Sequence, residues 1–229
     1  MGLLASDRVT IPVAVLVVAK APVAGLAKTR LAAAVGADAA AAIAAAALLD
    51  TLDAVVAAPV QARVVALTGD LDRAHSSREI RARLAGFTVV VQRGDAFAER
   101  LANAHTDAAA ATGLPVLQIG MDTPEVTARL IEECADVLAT SDAVLGMAAD
   151  GGWWLLGVRD PVTAQCLVKV PMSQPDTGAL THAALCGTGV SVHQVCAMPD
   201  VDTVADVDAV RRMCAPDSRF AHATLAAGV

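Results

Sequence analysis

Two cations, Lys28 and Arg30, stand near the start of a predicted helix, just after a predicted buried strand. The β-branched run 11–19 predicts the strand, Pro22 and Gly25 end it, and helical composition takes over at about Lys28. The free N–H groups and the positive end of a helix at such a junction attract anions, and two cations strengthen that attraction. The segment therefore predicts an anion site, with two solvated surface cations as the alternative.

Two carboxylates also follow predicted strands. Asp122 comes just after the strand 115–120, and Asp150 after the strand 143–148. Because Mg²⁺ and Mn²⁺ often take one or two carboxylates together with substrate phosphates, Asp122 is a candidate metal ligand. The alternative is that Asp122 caps the following helix, although Thr123 could take that role instead.

Asp150 is followed by two glycines, Gly151 and Gly152, and then by Trp153 and Trp154. These two are the only tryptophans of the chain. Asp-Gly and Gly-Gly are typical of hairpin turns, so a turn is the alternative reading of this carboxylate. Glycine also lets a ligand approach the backbone closely. The pattern favours one wall of a substrate site, in which Asp150 acts as a general base or orients an acceptor.

Composition limits the class of partner and the compartment. A formal net charge of −7 argues against nucleic acid, whereas a local cationic pocket suits a small anion. The five cysteines are widely spaced, so neither disulfides nor a zinc site is indicated, and we expect a cytoplasmic protein. The apolar run 11–19 is too short to span a membrane, and its loose likeness to a signal peptide lacks a strongly basic start. Five scattered histidines lack metal-ligand spacing and are expected to be structural or surface residues.

Predicted strands and helices alternate along the chain. Strands are predicted at 11–19, 61–67, 87–92, 115–120, 143–148, 153–158 and 190–196, and helices at 29–35, 39–57, 76–84, 95–112, 124–139, 175–186 and 203–214. This alternation predicts an α/β fold, a mostly parallel sheet with helices on both faces, whose ligands bind beyond the carboxyl ends of the strands. We expect a single domain over 1–229, with a core at about 11–214 and loosely held ends at 1–9 and 216–229.

Five motifs together resemble a known family. They are AKAPVAGLAKTRL, GMDTP, ADGGWWLLG, VPMSQPDT and DVDT, and they occur in the order seen in small bacterial glycosyltransferase-like proteins of the GT-A fold. Those proteins are similar in turn to molybdenum-cofactor guanylyltransferases and to the guanylyltransferases that activate 2-phospho-lactate or phosphoenolpyruvate. The resemblance covers about 11–214, and it implies a single-domain nucleotide-diphospho-sugar transferase fold.

The resemblance also implies roles for individual residues. The loop after the first strand would bind the nucleotide through Ala19, Lys20, Pro22, Gly25, Lys28 and Arg30. The metal, Mg²⁺ or Mn²⁺, would bind Asp122 and Asp202, the latter matching the C-terminal aspartate of related cytidylyltransferases. The acceptor would contact Asp150, Gly151, Gly152, Trp153 and Ser173, and the catalytic residues would be Asp122, Asp150 and Lys28. For the C-terminal carboxylates the alternative is a helix start, with Asp202 or Thr203 as the cap.

Three functions follow from these expectations. The favoured one is a glycosyltransferase that moves a sugar from a nucleotide-diphospho-sugar to a small acceptor. The first alternative is a guanylyl- or cytidylyltransferase that joins a nucleoside triphosphate to a phosphorylated or carboxylate metabolite and releases pyrophosphate. The second is a non-catalytic nucleotide-binding module. Met121 and Met172 depart from the family pattern at positions expected to touch donor or acceptor, so the identity of the substrates is left open. The oligomeric state is also open, and a homodimer is one possibility.

Overall fold

The first predicted strand forms the centre of the sheet. The computed structural model, which describes residues 10–199 and 203–229, places β1 (Ile11–Lys20) between β2 (Val60–Thr68) and β4 (Val116–Gly120), and both neighbours run parallel to it. Residues 13–19 are all buried, since helices cover both faces of this strand. A continuous apolar run is what such a doubly covered strand requires.

The described residues form one seven-stranded sheet in the order β3-β2-β1-β4-β6-β5-β7. Its remaining strands are β3 (Thr88–Val91), β5 (Ala143–Ala148), β6 (Trp153–Val158) and β7 (Val192–Met198). Only β6 runs antiparallel to its neighbours β4 and β5, so the predicted mostly parallel sheet is confirmed. The start of β6 therefore lies at the same edge as the carboxyl ends of the other strands, which brings Trp153 to the expected ligand edge.

Helices cover both faces of this sheet. They are α1 (Thr29–Val35), α2 (Ala37–Ala57), α3 (Ser77–Leu84), α4 (Phe97–Thr112), α5 (Ala128–Thr140), α6 (Thr177–Gly187), α7 (Val204–Met213) and α8 (Arg219–Ala226), with 3-10 helices at Leu71–Arg73 and Pro161–Lys169. The first face is covered by α2 and α5, and the second by α4, the longer 3-10 helix and α6. Among the described residues α2 alone is long and apolar enough to cross a membrane, but it is mostly buried against other helices and is a core helix.

The helix after Asp122 begins later than predicted. The predicted start at residue 124 was wrong, because α5 begins at Ala128, where Thr127 Oγ1 accepts a hydrogen bond of 3.1 Å from the Leu130 N–H. The residues before it form a turn, in which the Val126 N–H donates to the Thr123 carbonyl at 3.1 Å. Proline is as common in turns as at helix starts, which explains the misplaced boundary.

The segment 216–229 was expected to be loosely held, and this was wrong. It contains α8, whose Phe220 is fully buried against α2. The Asp50 carboxylate of α2 accepts hydrogen bonds from the backbone N–H groups of Arg219 and Phe220, at 3.2 and 2.8 Å. A buried aromatic residue and a carboxylate at the helix start hold this end of the chain in place. Residues 1–9, the other predicted loose end, lie outside the described residues.

Candidate active site

Two cavities meet at the carboxyl edge of the sheet. The larger has a volume of about 470 Å³ and the smaller about 310 Å³. Lys20, Met121 and Asp122 line both of them. Because these residues end or follow β1 and β4, the two central strands deliver a cation and a carboxylate to the wall between the cavities.

Lys28 and Asp122 are paired across this wall. Lys28 Nζ lies 2.5 Å from Asp122 Oδ2, and the two side chains are 11% and 32% exposed. Lys28 also adopts a left-handed backbone conformation, with φ of 44°, directly before α1. Such a conformation is costly for a residue other than glycine, and functional sites are where it is most often kept. The cation and the carboxylate that the sequence places 94 residues apart thus form one charged site.

The loop between β1 and α1 divides between the two cavities. Ala19 and Lys20, which end β1, line the larger one, and residues 26–30, which include Lys28 and Arg30, line the smaller one together with Lys20. Lys20 Nζ donates a hydrogen bond of 2.9 Å to the Leu26 carbonyl, which closes the loop on itself. The two predicted cations therefore face one cavity, as the anion-site prediction requires.

Pro22 and Gly25, also predicted to bind the nucleotide, line neither cavity. The Pro22 carbonyl accepts a hydrogen bond of 2.9 Å from the His75 N–H, and Gly25 has a positive φ of 77° with open space around it. In the structure these two residues shape the loop that carries the cations.

Asp150 lies in the tight turn between the antiparallel strands β5 and β6, so the hairpin alternative describes its backbone correctly. Its Oδ1 accepts a hydrogen bond of 2.8 Å from the Gly152 N–H. Asp150, Gly152 and Trp153 nevertheless line the larger cavity, together with Ser173. The turn and the cavity wall are the same structure.

Gly151, a predicted acceptor residue, does not line either cavity. Its φ is 90°, and a Cβ there would lie 1.8 Å from the Pro175 carbonyl oxygen. Its own carbonyl accepts a hydrogen bond of 2.8 Å from the Gly178 N–H of α6. The close approach for which Gly151 is needed is thus that of the protein's own backbone.

Several polar residues of the larger cavity were not predicted as site residues, among them Thr68, Gln92, Arg100 and Gln118. Thr68 ends β2 and Gln92 follows β3, so the strand-end rule that selected Asp122 could have found both. Gln92 Nε2 donates to the carbonyls of Ala19 and Ala66, at 2.8 and 2.9 Å. Arg100 and Gln118 lie inside α4 and β4, where no sequence pattern marks them.

Buried titratable groups lie outside this edge. His105 of α4 is fully buried, neither of its ring nitrogens has a hydrogen-bond partner, and burial lowers its pKa to about 3. Burial raises the pKa of the Cys134 thiol to about 12, and that of Cys214 likewise. These groups are neutral at physiological pH, so neither thiol is a nucleophile there.

The site fits a hard divalent cation through few protein ligands. Within residues 10–199 and 203–229, no three His, Cys, Asp or Glu residues cluster as a metal site. Asp122 alone offers a partly exposed carboxylate beside two cavities, and Mg²⁺ commonly takes one or two carboxylates and fills its remaining positions with water and phosphate. Asp202, the second predicted ligand, lies outside the described residues.

The fold is that of nucleotide-diphospho-sugar transferases, as three solved structures indicate. A candidate nucleotide-diphospho-sugar transferase from Desulfovibrio desulfuricans G20 matches with a TM-score of 0.82 and 24% identity over 94% of each chain. Rv0371c from Mycobacterium tuberculosis H37Rv, solved with manganese, matches with 0.53 and 20% over 87% of this chain and 97% of that one. A CMP:2-keto-3-deoxy-manno-octonic acid synthetase, solved with CTP, matches with 0.51 and 14% over 88% and 97%.

The chain belongs to the DUF2064 family (Uncharacterized protein conserved in bacteria), whose model matches residues 51–174. No curated protein matches it. The predicted GT-A-like fold is confirmed, and the similar solved structures include a candidate nucleotide-diphospho-sugar transferase and a synthetase solved with CTP.

Proposed function

We propose that this protein is a metal-dependent transferase that moves a sugar from a nucleotide-diphospho-sugar to a small acceptor. The observation that carries the proposal is the position of Asp122, which faces Lys28 on the wall shared by two cavities. Donor and acceptor could thereby meet at one charged point. The likeness of nearly the whole chain to a candidate nucleotide-diphospho-sugar transferase supports this class.

Phosphates of the donor belong in the smaller cavity. Lys28 and Arg30 line it, and their two positive charges suit phosphate groups. As a sugar leaves the donor, negative charge grows on the nucleoside diphosphate, and fixed cations stabilise that charge. Mg²⁺ or Mn²⁺ held by Asp122, with Asp202 as the proposed second ligand, would supply further positive charge, and the manganese in Rv0371c supports a metal of this kind.

The acceptor belongs in the larger cavity, beside Asp150, Trp153 and Ser173. Asp150 uses Oδ1 to hold the turn, while Oδ2 makes no hydrogen bond to the described residues. That second oxygen is available to orient an acceptor hydroxyl or to take its proton during transfer. The five cysteines are all free thiols, and we place the protein in the cytoplasm on that ground.

A nucleotidyltransferase is the second candidate, and the likeness to a synthetase solved with CTP supports it. In that reaction an acceptor phosphate or carboxylate oxygen attacks the α-phosphorus of a nucleoside triphosphate, and pyrophosphate leaves. The same cations would serve, because charge again develops on phosphate oxygens.

A donor screen separates these functions. The protein is incubated with nucleoside triphosphates and nucleotide sugars, with Mg²⁺ or Mn²⁺ and a panel of acceptors. Release of nucleoside diphosphate supports sugar transfer, release of pyrophosphate supports nucleotidyl transfer, and binding without either product indicates a non-catalytic module. Arg30→Ala should weaken nucleoside diphosphate binding by roughly tenfold or more, whereas the exposed Arg129→Ala should not.

A further inference from the structure

Arg100 is a cation in the larger cavity, and none of residues 10–199 and 203–229 provides it with a counter-charge. It lies in the first turns of α4, and its guanidinium forms no ion pair or hydrogen bond with the described residues. Its Nε is buried without a partner. A buried donor that is cut off from water costs free energy unless an acceptor reaches it.

Gln118 is a second polar group of this cavity without a partner. It is 2% exposed, and its side-chain amide makes no hydrogen bond to the described residues. Most buried polar side chains in folded proteins are hydrogen-bonded, so two such groups in one cavity point to a ligand. The amide can both donate and accept, whichever way it is turned.

Both residues line the larger cavity, from two elements that pack against each other. Gln118 belongs to β4, where it pairs with β1 and β6, and α4 crosses β1 and β4 on that face. Asp150 and Trp153, at the β5–β6 turn, line the same cavity. Of the cavity's two carboxylates, Asp122 contacts Lys28 and Asp150 accepts from the Gly152 N–H through Oδ1, and neither forms an ion pair with Arg100. Arg100 is therefore left to a ligand.

We propose that Arg100 and Gln118 form an oxyanion subsite that selects a substrate carrying a carboxylate or phosphate group. The planar guanidinium can donate two parallel hydrogen bonds to either group, and the Gln118 amide adds a donor beside them. This proposal rests on the proposed function in one respect, namely that the group bound by the subsite belongs to the acceptor, which would lie beside Asp122 and Asp150. A nucleobase of the donor is the competing occupant.

The subsite can be tested without nucleotide, metal or turnover. The arginine Nε–Hε resonances of ¹⁵N-labelled protein are followed in EDTA during titration with glycolate, the carboxylate probe, and separately with inorganic phosphate. The Arg100 resonance is assigned from its loss in Arg100→Met. We expect one or both anions to shift it, and Trp153 fluorescence to report the same affinity.

Variants then locate the binding. Arg100→Met and Gln118→Leu should each weaken that affinity, the former at least about tenfold. Arg129→Met removes the same charge from an exposed site on α5 and should change nothing. Arg100→Lys keeps the charge but loses the planar fork, so it should bind more weakly than the wild type and better than Arg100→Met. Melting temperatures identify any variant that fails to fold, and Arg100→Lys replaces Arg100→Met in that case.

Three outcomes overturn the proposal. These are an Arg100 resonance unmoved by both anions, equal anion affinity in Arg100→Met and the wild type, and a resonance moved by cytidine or guanosine in place of the anions. The donor screen is independent of these results. Arg100-dependent anion binding without any transfer upholds the subsite and contradicts the proposed function. Transfer with an unchanged acceptor KM in Arg100→Met upholds the proposed function and contradicts the subsite.

Discussion

Asp122 and Asp150 occupy equivalent positions but have different partners. Both follow strands, lie at the same edge of the sheet and line the larger cavity. Asp122 contacts the Lys28 ammonium from a distant part of the chain, whereas Asp150 accepts a hydrogen bond from Gly152 in its own turn. The position of each carboxylate follows from the end of its strand, whereas the charge around each carboxylate depends on the group that contacts it. We therefore assign phosphate and metal chemistry to Asp122 and acceptor chemistry to Asp150.

The largest effect is expected from Asp150→Asn. Asparagine can keep the turn, because its side-chain oxygen also accepts from the Gly152 N–H, but it loses the negative charge and the basicity. Turnover should fall by roughly 10²–10⁴. Nucleotide affinity and melting temperature should stay near the wild-type values, and Trp153 fluorescence should still report acceptor binding. Wild-type turnover in Asp150→Asn would show that Asp150 only holds the turn, and would contradict the assignment of acceptor chemistry to this residue.

Asp122→Asn should act on binding. It keeps the shape of the side chain but removes the metal ligand, so metal-dependent nucleotide affinity should fall at least about 100-fold, because even outer-shell partners of metals cost about 10–100-fold. Calorimetry with and without EDTA measures this loss. Asp107→Asn, which likewise breaks an ion pair, here with Arg93, but lies outside both cavities, is the matched control. Equal affinities for the wild type and Asp122→Asn in both conditions would contradict the assignment.

Gly151→Ala tests how firmly the Asp150 turn is held. A methyl group there would meet the Pro175 carbonyl at 1.8 Å, in a backbone conformation with φ of 90°. Gly25→Ala is the control, since it has a similar φ of 77° but open space. Urea unfolding should show a cost of roughly 1 kcal/mol for Gly25→Ala and at least about 2 kcal/mol more for Gly151→Ala. Similar costs would mean that the turn can move away from α6, and that Asp150 is less fixed than Asp122.

The smallest effect is a loss of folding stability at low pH, which limits how far a pH profile of the two carboxylates can extend towards acid. The pKa of His105 is lowered to about 3 in the fold by burial, from 6.5 in the unfolded chain. The unfolded state therefore binds a proton that the folded state refuses, and stability falls as the pH drops from 6.5 towards 3. Between neutral pH and pH 5 this group should cost about 2 kcal/mol.

His105→Leu removes the titrating group, so its loss of stability between pH 7 and pH 5 should be smaller than that of the wild type by the same amount. Denaturant unfolding at the two pH values measures the difference. An equal pH dependence in both proteins would show that the buried imidazole is not the cause. Turnover data at low pH can then be separated from unfolding.

Local patterns were enough for much of the fold. The predicted strands 143–148 and 153–158 match β5 and β6 to the residue, because each is an apolar run bounded by turn residues. The start of α5 was misplaced and helix α8 was missed because the local sequence allows more than one structure at both places. Thr123 and Thr127 are both good caps, and only contact with α2 makes Phe220 a core residue.

The sequence by itself determined which side chains stand at strand ends, because apolar periodicity and turn chemistry are local properties. It thereby selected Asp122 and Asp150, and the change from strand to helix composition selected Lys28. Only the tertiary structure decided which of them meet, since a contact between residues 94 apart depends on the order and register of all seven strands. The same holds for Arg100 and Gln118, which look like ordinary helix and strand residues until the packing of α4 on the sheet brings both to the lining of one cavity.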